Sequence, residues 1–161
     1  DWGGTLAQSH KRHIFINSRN IDEKLATLQP DTLATLRKLR EKDVGIGIIS
    51  NTHWSPTSMK KALKESELDK FFDVVVLSSQ KGQCDKPCGN IFNKAIKKSG
   101  IDKKNILYVG NNYPKDIIGS HGIVDNAYFT GEIPEQMLNA QLNDKHTYTI
   151  HKISDVLRLV V

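Results

Sequence analysis

Val44-Gly45-Ile46-Gly47-Ile48-Ile49-Ser50-Asn51 is a compact apolar run ended by a hydroxyl and an amide. Such a run, without polar alternation, is expected of a strand buried on both faces of a parallel sheet. On its amino side, Leu33, Leu36 and Leu39 recur at three-to-four spacing behind Pro30-Asp31. A helix from Asp31 to about Asp43 follows, with Asp31 as its cap. On its carboxyl side, Ser55-Pro56 opens a second helix, running to about Glu65. Val74-Val75-Val76-Leu77 reads as the next strand, and 82–87 as a loop. A helix over Ile91–Ser99 closes at Gly100. Ile106-Leu107-Tyr108-Val109 is another strand, before a loop from Gly110 to Asp116 and a helix to about Gly122. Strands at 127–129 and 147–150 and a last helix from Ser154 complete the pattern. Strands alternating with helices imply an α/β, doubly wound, mostly parallel sheet with helices on both faces.

The 161 residues suit one domain, taken as 1–161. No apolar run approaches the ~20 residues needed to cross a bilayer, and no signal-peptide pattern is present, so a cytoplasmic location without membrane partners is expected. The net charge of +5 is mostly lysine spread over helices. A solvated lysine surface that draws in anions is expected rather than a nucleic-acid site. Cys84 and Cys88 have no second pair and no neighbouring His for zinc, and are expected as two reduced thiols in a loop.

Polar residues gather where apolar runs end: Ser50-Asn51, Lys86-Pro87, and Gly110-Asn111 through Asp116. In a doubly wound sheet, ligands bind at the carboxyl ends of strands, so these stations can converge although they lie far apart in sequence. A fourth station opens the chain as Asp1-Trp2-Gly3-Gly4-Thr5-Leu6.

In this order and with these flanks, the stations resemble those of the haloacid dehalogenase-like (HAD) hydrolases, over nearly the whole chain. Ser78-Ser79, Lys86-Pro87 and Ile91-Phe92 look most like the phosphoglycolate-phosphatase-like branch. The resemblance implies a magnesium-dependent phosphatase of a small phosphorylated molecule, working through an aspartyl-phosphate. It makes Asp1 the nucleophile, Thr5 a residue that orients it, and Ser50 and Asn51 the holders of phosphate oxygens. Lys86 neutralises the developing charge. Asp1, the Gly3 carbonyl, Asn111 and Asp116 become the metal set, with Asp116 alternatively bound through water or holding Lys86. In this family a strand precedes the nucleophile; none precedes Asp1, so the first central strand is expected to be missing from the chain. Residues 7–29 then fill the slot of a minimal cap or flap, with at most one short strand at Ile14-Phe15-Ile16.

Two positions depart from the family. Gly3 stands where its phosphatases carry a second Asp, and losing a positioned acid/base costs on the order of 10²–10⁴ in rate. Asn111 stands where a metal-binding Asp is usual, which weakens a magnesium site. A catalytically degenerate binding module and a metal-independent dehalogenase-like hydrolase therefore stay open as alternatives.

Overall fold

Val44–Ser50 forms strand β2, and all seven of its residues are buried. The structure is a computed structural model that describes residues 12–17, 31–131 and 145–160. In chain order the elements are β1 (Arg12–Asn17), α1 (Thr32–Glu41), β2, α2 (Pro56–Glu65), β3 (Val74–Leu77), α3 (Gly89–Ser99) and β4 (Ile106–Gly110). They continue with a π-helical turn (Tyr113–Ile118), β5 (Asp125–Phe129), β6 (Thr147–Ile150) and a 3-10 segment (Ile153–Arg158). The strands form one sheet in the order β3-β2-β1-β4-β5-β6, and every pair is parallel.

The central place of that sheet is not missing from the chain, as the sequence had suggested. β1 occupies it, pairing Ile14 with Ile46 on one side and with Leu107 on the other. Its apolar core is brief, but a β-branched and aromatic triplet satisfies a fully buried strand: Ile14 is 0% and Phe15 1% exposed. Basic residues before it and Asn17 after it hide the pattern in sequence. Residues 12–17 are thus sheet rather than flap, and the remainder of 7–29 lies outside the described residues.

The two faces of the sheet carry separate cores. Ile14, Ile46, Ile48 and Val109 pack with Leu36 and Leu39 of α1 and with Met59 and Leu63 of α2. Phe15, Ile49, Val76 and Tyr108 pack with Ile91, Phe92 and Ala95 of α3. Each Ile, Leu, Val, Phe or Met side chain among them contributes about 1.5–3 kcal/mol when fully buried. Gly47 makes the second face possible, because a Cβ there would lie 2.2 Å from Phe15 Cε1.

The helix ends follow local chemistry. Ser55 Oγ accepts from Ser58 N at 3.0 Å with Pro56 in the first turn, and Gly100 closes α3 in the left-handed region at φ 67°. Asp31 does not cap α1 with its side chain. Its carboxylate accepts from Ser154 N at 2.9 Å instead, tying the start of α1 to the C-terminal segment.

Candidate active site

The carboxyl ends of β2 and β4 lie on either side of β1, and the loop before α3 crosses toward them. Asn51, just past the end of β2, fixes that loop. Its Nδ2 donates to Lys86 O at 3.1 Å, and its Oδ1 accepts from Lys86 N at 2.8 Å. The Asn51 amide, expected on a phosphate, thus positions Lys86. Ser50 is buried, and its carbonyl accepts from Ser78 N at 2.9 Å. The Lys86–Pro87 peptide is cis.

Cys84 and Cys88 bracket the same loop. They are joined by a disulfide rather than reduced, which corrects the sequence expectation. The chain turns here, with Cys88 N donating to Asp85 O at 3.0 Å. The turn brings the two Cα atoms to 6.0 Å, within bridging range.

With its backbone held, Lys86 sends its side chain inward. Nζ donates to Asp116 Oδ1 at 2.6 Å, to Tyr108 OH at 2.8 Å and to Ile49 O at 3.5 Å. The Tyr108 hydroxyl accepts from the lysine and donates to Asp116 Oδ1 at 2.9 Å, closing a three-membered cluster. Asp116 Oδ2 accepts from Asn112 N at 2.9 Å. Lys86 is 3% and Asp116 0% exposed. An ion pair this deep persists only when its remaining hydrogen-bonding capacity is met, as it is here. Burial drives the Tyr108 phenol well above its ordinary pKa, and the Asp116 charge and hydrogen bond add to that. Tyr108 therefore stays a neutral donor. Its ring also packs edge-on to Phe92 with centroids 5.0 Å apart.

The approach of Asp116 requires Gly110. A Cβ at Gly110 would fall 2.2 Å from Asp116 Cβ and 2.6 Å from its Oδ2. This places the carboxylate over the end of β4, where the π-helical turn, capped by Asn112 Oδ1 on Lys115 N at 3.0 Å, delivers it.

Among the metal residues expected, Asp116 takes the role of holding Lys86. It has no solvent-facing surface, and both of its oxygens accept from nitrogen or hydroxyl donors. Asn111 is exposed. Among the described residues no group of three or more His, Cys, Asp or Glu side chains could hold a metal. Of the four residues expected around a metal, the described residues include Asn111 and Asp116 alone. Asp1, Gly3 and Thr5 lie outside the described residues.

Tyr108 is the site residue that sequence reasoning missed. Its signal was a single hydroxyl in an otherwise aliphatic strand, two residues before the strand-ending Gly110.

The profile of the haloacid dehalogenase-like hydrolase family matches residues 6–124. The chain belongs to this family. A glyceraldehyde 3-phosphate phosphatase of Pyrococcus abyssi is 33% identical over 94 residues, covering 58% of this chain and 38% of that protein. An (S)-2-haloacid dehalogenase of Pseudomonas fluorescens is 35% identical over 82 residues, covering 51% of this chain and 35% of that protein. The chain thus spans well under half the length of these family members. An uncharacterised protein of Listeria monocytogenes has the same fold, with a TM-score of 0.75, 20% identity, and coverage of 92% of this chain and 98% of that one. The neighbour spans almost the same architecture, which shows the shared fold. No helix among the described residues is long and apolar enough to cross a membrane.

Proposed function

We propose that this HAD-like chain carries the hydrolytic core of a phosphatase acting on a small phosphorylated molecule. The observation that carries the reading is the buried Lys86, held by Asp116 and Tyr108 at the strand ends where the family does its chemistry. The phosphatase named among its relatives acts on a small phosphate ester, which supports the substrate class.

In this reading Asp1 attacks phosphorus through a carboxylate oxygen, and the ester oxygen leaves with the bonding pair. Gly3 offers no acid, so the leaving oxygen takes its proton from water. A second water cleaves the acyl-phosphate, regenerating the carboxylate and releasing inorganic phosphate. Thr5 orients Asp1, Ser50 holds a phosphate oxygen, and the Lys86 ammonium stabilises charge on the transferred group. β1 begins at the end of the sheet opposite the carboxyl rim, so this reading requires that the chain before Arg12 be long enough to cover the length of the strand. The 11 residues preceding Arg12 can span up to about 36 Å, against roughly 20 Å for the strand itself. Magnesium would depend on the Asp1 carboxylate, the Gly3 carbonyl and Asn111. When bound it would neutralise phosphate charge; no step above is routed through it.

The test is release of phosphate from an aryl phosphate by this chain, with and without magnesium. Turnover lost in both Asp1→Asn and Lys86→Met supports the reading. No turnover across a broad phosphate panel overturns it. One observation favours a binding module as the second reading: β1 ends at Asn17, an amide residue, where the family's nucleophile follows the strand. Phosphate-dependent thermal stabilisation without turnover is the mark of that module. Halide release without magnesium would assign the dehalogenase chemistry named for the Pseudomonas relative. A cytoplasmic location is likewise a proposal. The Cys84–Cys88 disulfide weighs against it, because such bonds persist mainly in oxidising compartments.

A further inference from the structure

β3 is the outermost strand of the sheet, paired with β2 and with no other described strand. Its outer edge is nonetheless nearly closed to a further strand. Ser78 N, just past the end of β3, donates to Ser50 O of β2 at 2.9 Å. Backbone groups alternate sides along a strand, so those of Val76 and Val74 also face β2. Of the residues turned outward, Leu77 donates its N–H to Gln80 Oε1 at 3.2 Å, and its carbonyl accepts from Gln80 N at 3.2 Å. Val75 is the β3 residue left with open backbone groups on that edge.

A groove of about 1030 Å³ opens across this edge. α2 packs on one face of the sheet and α3 on the other, and both line the groove. Half-buried Phe72 and Val75 give it an apolar floor. Lys60 of α2 stands on one wall, and Lys94, Lys97 and Lys98 of α3 on the other. Lys97 and Lys98 follow Lys94 by three and four residues, so the three share one face of α3. Among the described residues none of these four lysines makes an ion pair. Of the two acids at the groove, Asp73 is held by Arg40 through a fork at 2.5 and 2.8 Å, and Asp69 is exposed. The walls are therefore cationic on both sides of an apolar strip. Burial lowers the Lys98 pKa, and the nearby Lys94 charge lowers it further, so an arriving carboxylate relieves a repulsion already present.

We propose that this groove docks an acidic amphipathic helix of a partner protein, laid between α2 and α3 with aliphatic side chains on the floor and carboxylates toward both lysine walls. The edge offers one residue for pairing, so the occupant must satisfy its own backbone, as a helix does. A helix is also an element that covers exposed sheet edges. The groove is open to solvent and exceeds the roughly 300–1,000 Å³ of clefts that enclose small ligands, which suits a polypeptide segment. Charge selects a partner over a helix of a second copy, since α1, α2 and α3 each carry more basic than acidic residues.

The probe is a labelled, capped peptide of about sixteen residues, long enough to populate a helix, with leucines three and four apart flanked by glutamates. A control of the same composition places its leucines at every second position, the pattern of a strand. Fluorescence anisotropy should show saturable binding of the helical pattern that weakens with added salt, and circular dichroism a gain of helix on mixing. Lys97→Glu/Lys98→Glu should weaken binding by roughly tenfold. Both residues are exposed, and circular dichroism of the variant alone checks that it is folded. Binding of a leucine–lysine helix by that variant would support the charge assignment. Absence of saturable binding, equal affinity in the variant, or preference for the alternating control overturns the proposal. So does self-association of the chain that competes with the peptide, which would give the groove to a second copy.

Discussion

Replacing Asp116 by Ala leaves Lys86 buried without its counter-charge. Side-chain exposures of 2% for Lys86 and 0% for Asp116 mean that water cannot take over the lost interaction. Deleting one partner of a buried pair costs about 3–5 kcal/mol, mostly from the stranded charge. Tyr108 OH and Asn112 N lose their acceptor at the same time. At roughly 2–4 °C per kcal/mol for a chain of this size, the thermal midpoint should fall by about 6–20 °C. Urea denaturation followed by circular dichroism gives the same quantity as a shift in midpoint. Lys86→Met/Asp116→Leu should recover most of the loss, because it removes both charges and keeps apolar volume. The double variant, which lacks the ammonium, should bind phosphate more weakly even where its stability is recovered, which separates stability from function. A loss near or below 1 kcal/mol in Asp116→Ala, the size of an exposed pair, would refute the claim that the cluster is a sealed ion pair.

Tyr108→Phe keeps the ring against Phe92 but deletes the hydroxyl that links Lys86 to Asp116. Stability should drop by about 1–3 kcal/mol in urea titration, the range for leaving buried groups unsatisfied. Reducing Cys84–Cys88 opens a five-residue loop, for which chain entropy gives a loss of about 2 kcal/mol. A thermal shift on adding reductant, absent in Cys84→Ser/Cys88→Ser, checks it. Acid should loosen the C-terminal 3-10 segment. For Asp31, burial raises the pKa, but the Ser154 hydrogen bonds and the Lys152 charge outweigh it and leave it below the ordinary 3.8. Asp155 behaves alike: burial raises it, while the Lys152 and His151 backbone bonds and the Arg158 charge carry it lower. A depressed carboxylate stabilises the fold above its unfolded pKa and loses that contribution as pH falls through the folded value. Stability should therefore decline below about pH 4, and Asp31→Asn should flatten the decline in pH-dependent urea titrations.

Where sequence and structure agree, one physical rule acts alone. Val44–Ile49 is apolar throughout because a parallel strand is covered on both faces, and Ser55, Pro56 and Gly100 mark helix ends through local backbone chemistry. β1 was legible only as a fragment. Three apolar residues between basic and polar flanks carry little periodicity, and its place between β2 and β4 is set by non-local pairing. Asp31 looked like a cap, yet the distant Ser154 claims its carboxylate. The Cys84–Cys88 bond depends on a turn that spacing does not reveal. At the site, Lys86 and Asp116 were visible as polar stations after strands. Tyr108 was not, since its hydroxyl acts only once Asp116 folds back over Gly110. The link from Asn51 to the Lys86 backbone joins residues far apart in the chain, so it leaves no mark in the sequence.

The charge balance of the Lys86 centre bears on the function more directly than its inventory of residues. The ammonium and the Asp116 carboxylate cancel within 2.6 Å, so the buried centre presents a phosphate with a polarised but nearly neutral surface. A doubly charged phosphate entering a poorly solvated strand edge needs further positive charge, because leaving an anion unpaired there costs several kcal/mol. The exposed lysines stand too far into solvent to supply it at short range. In the phosphatase reading the missing charge comes from a divalent cation held with Asp1 and Asn111, so phosphate affinity should rise steeply with magnesium and lose that dependence in Asp1→Asn. In the binding-module reading the ligand meets the neutral cluster directly, and affinity should be indifferent to magnesium but fall in Tyr108→Phe. Isothermal titration of phosphate with and without magnesium, on the wild-type chain and these two variants, separates the readings by sign.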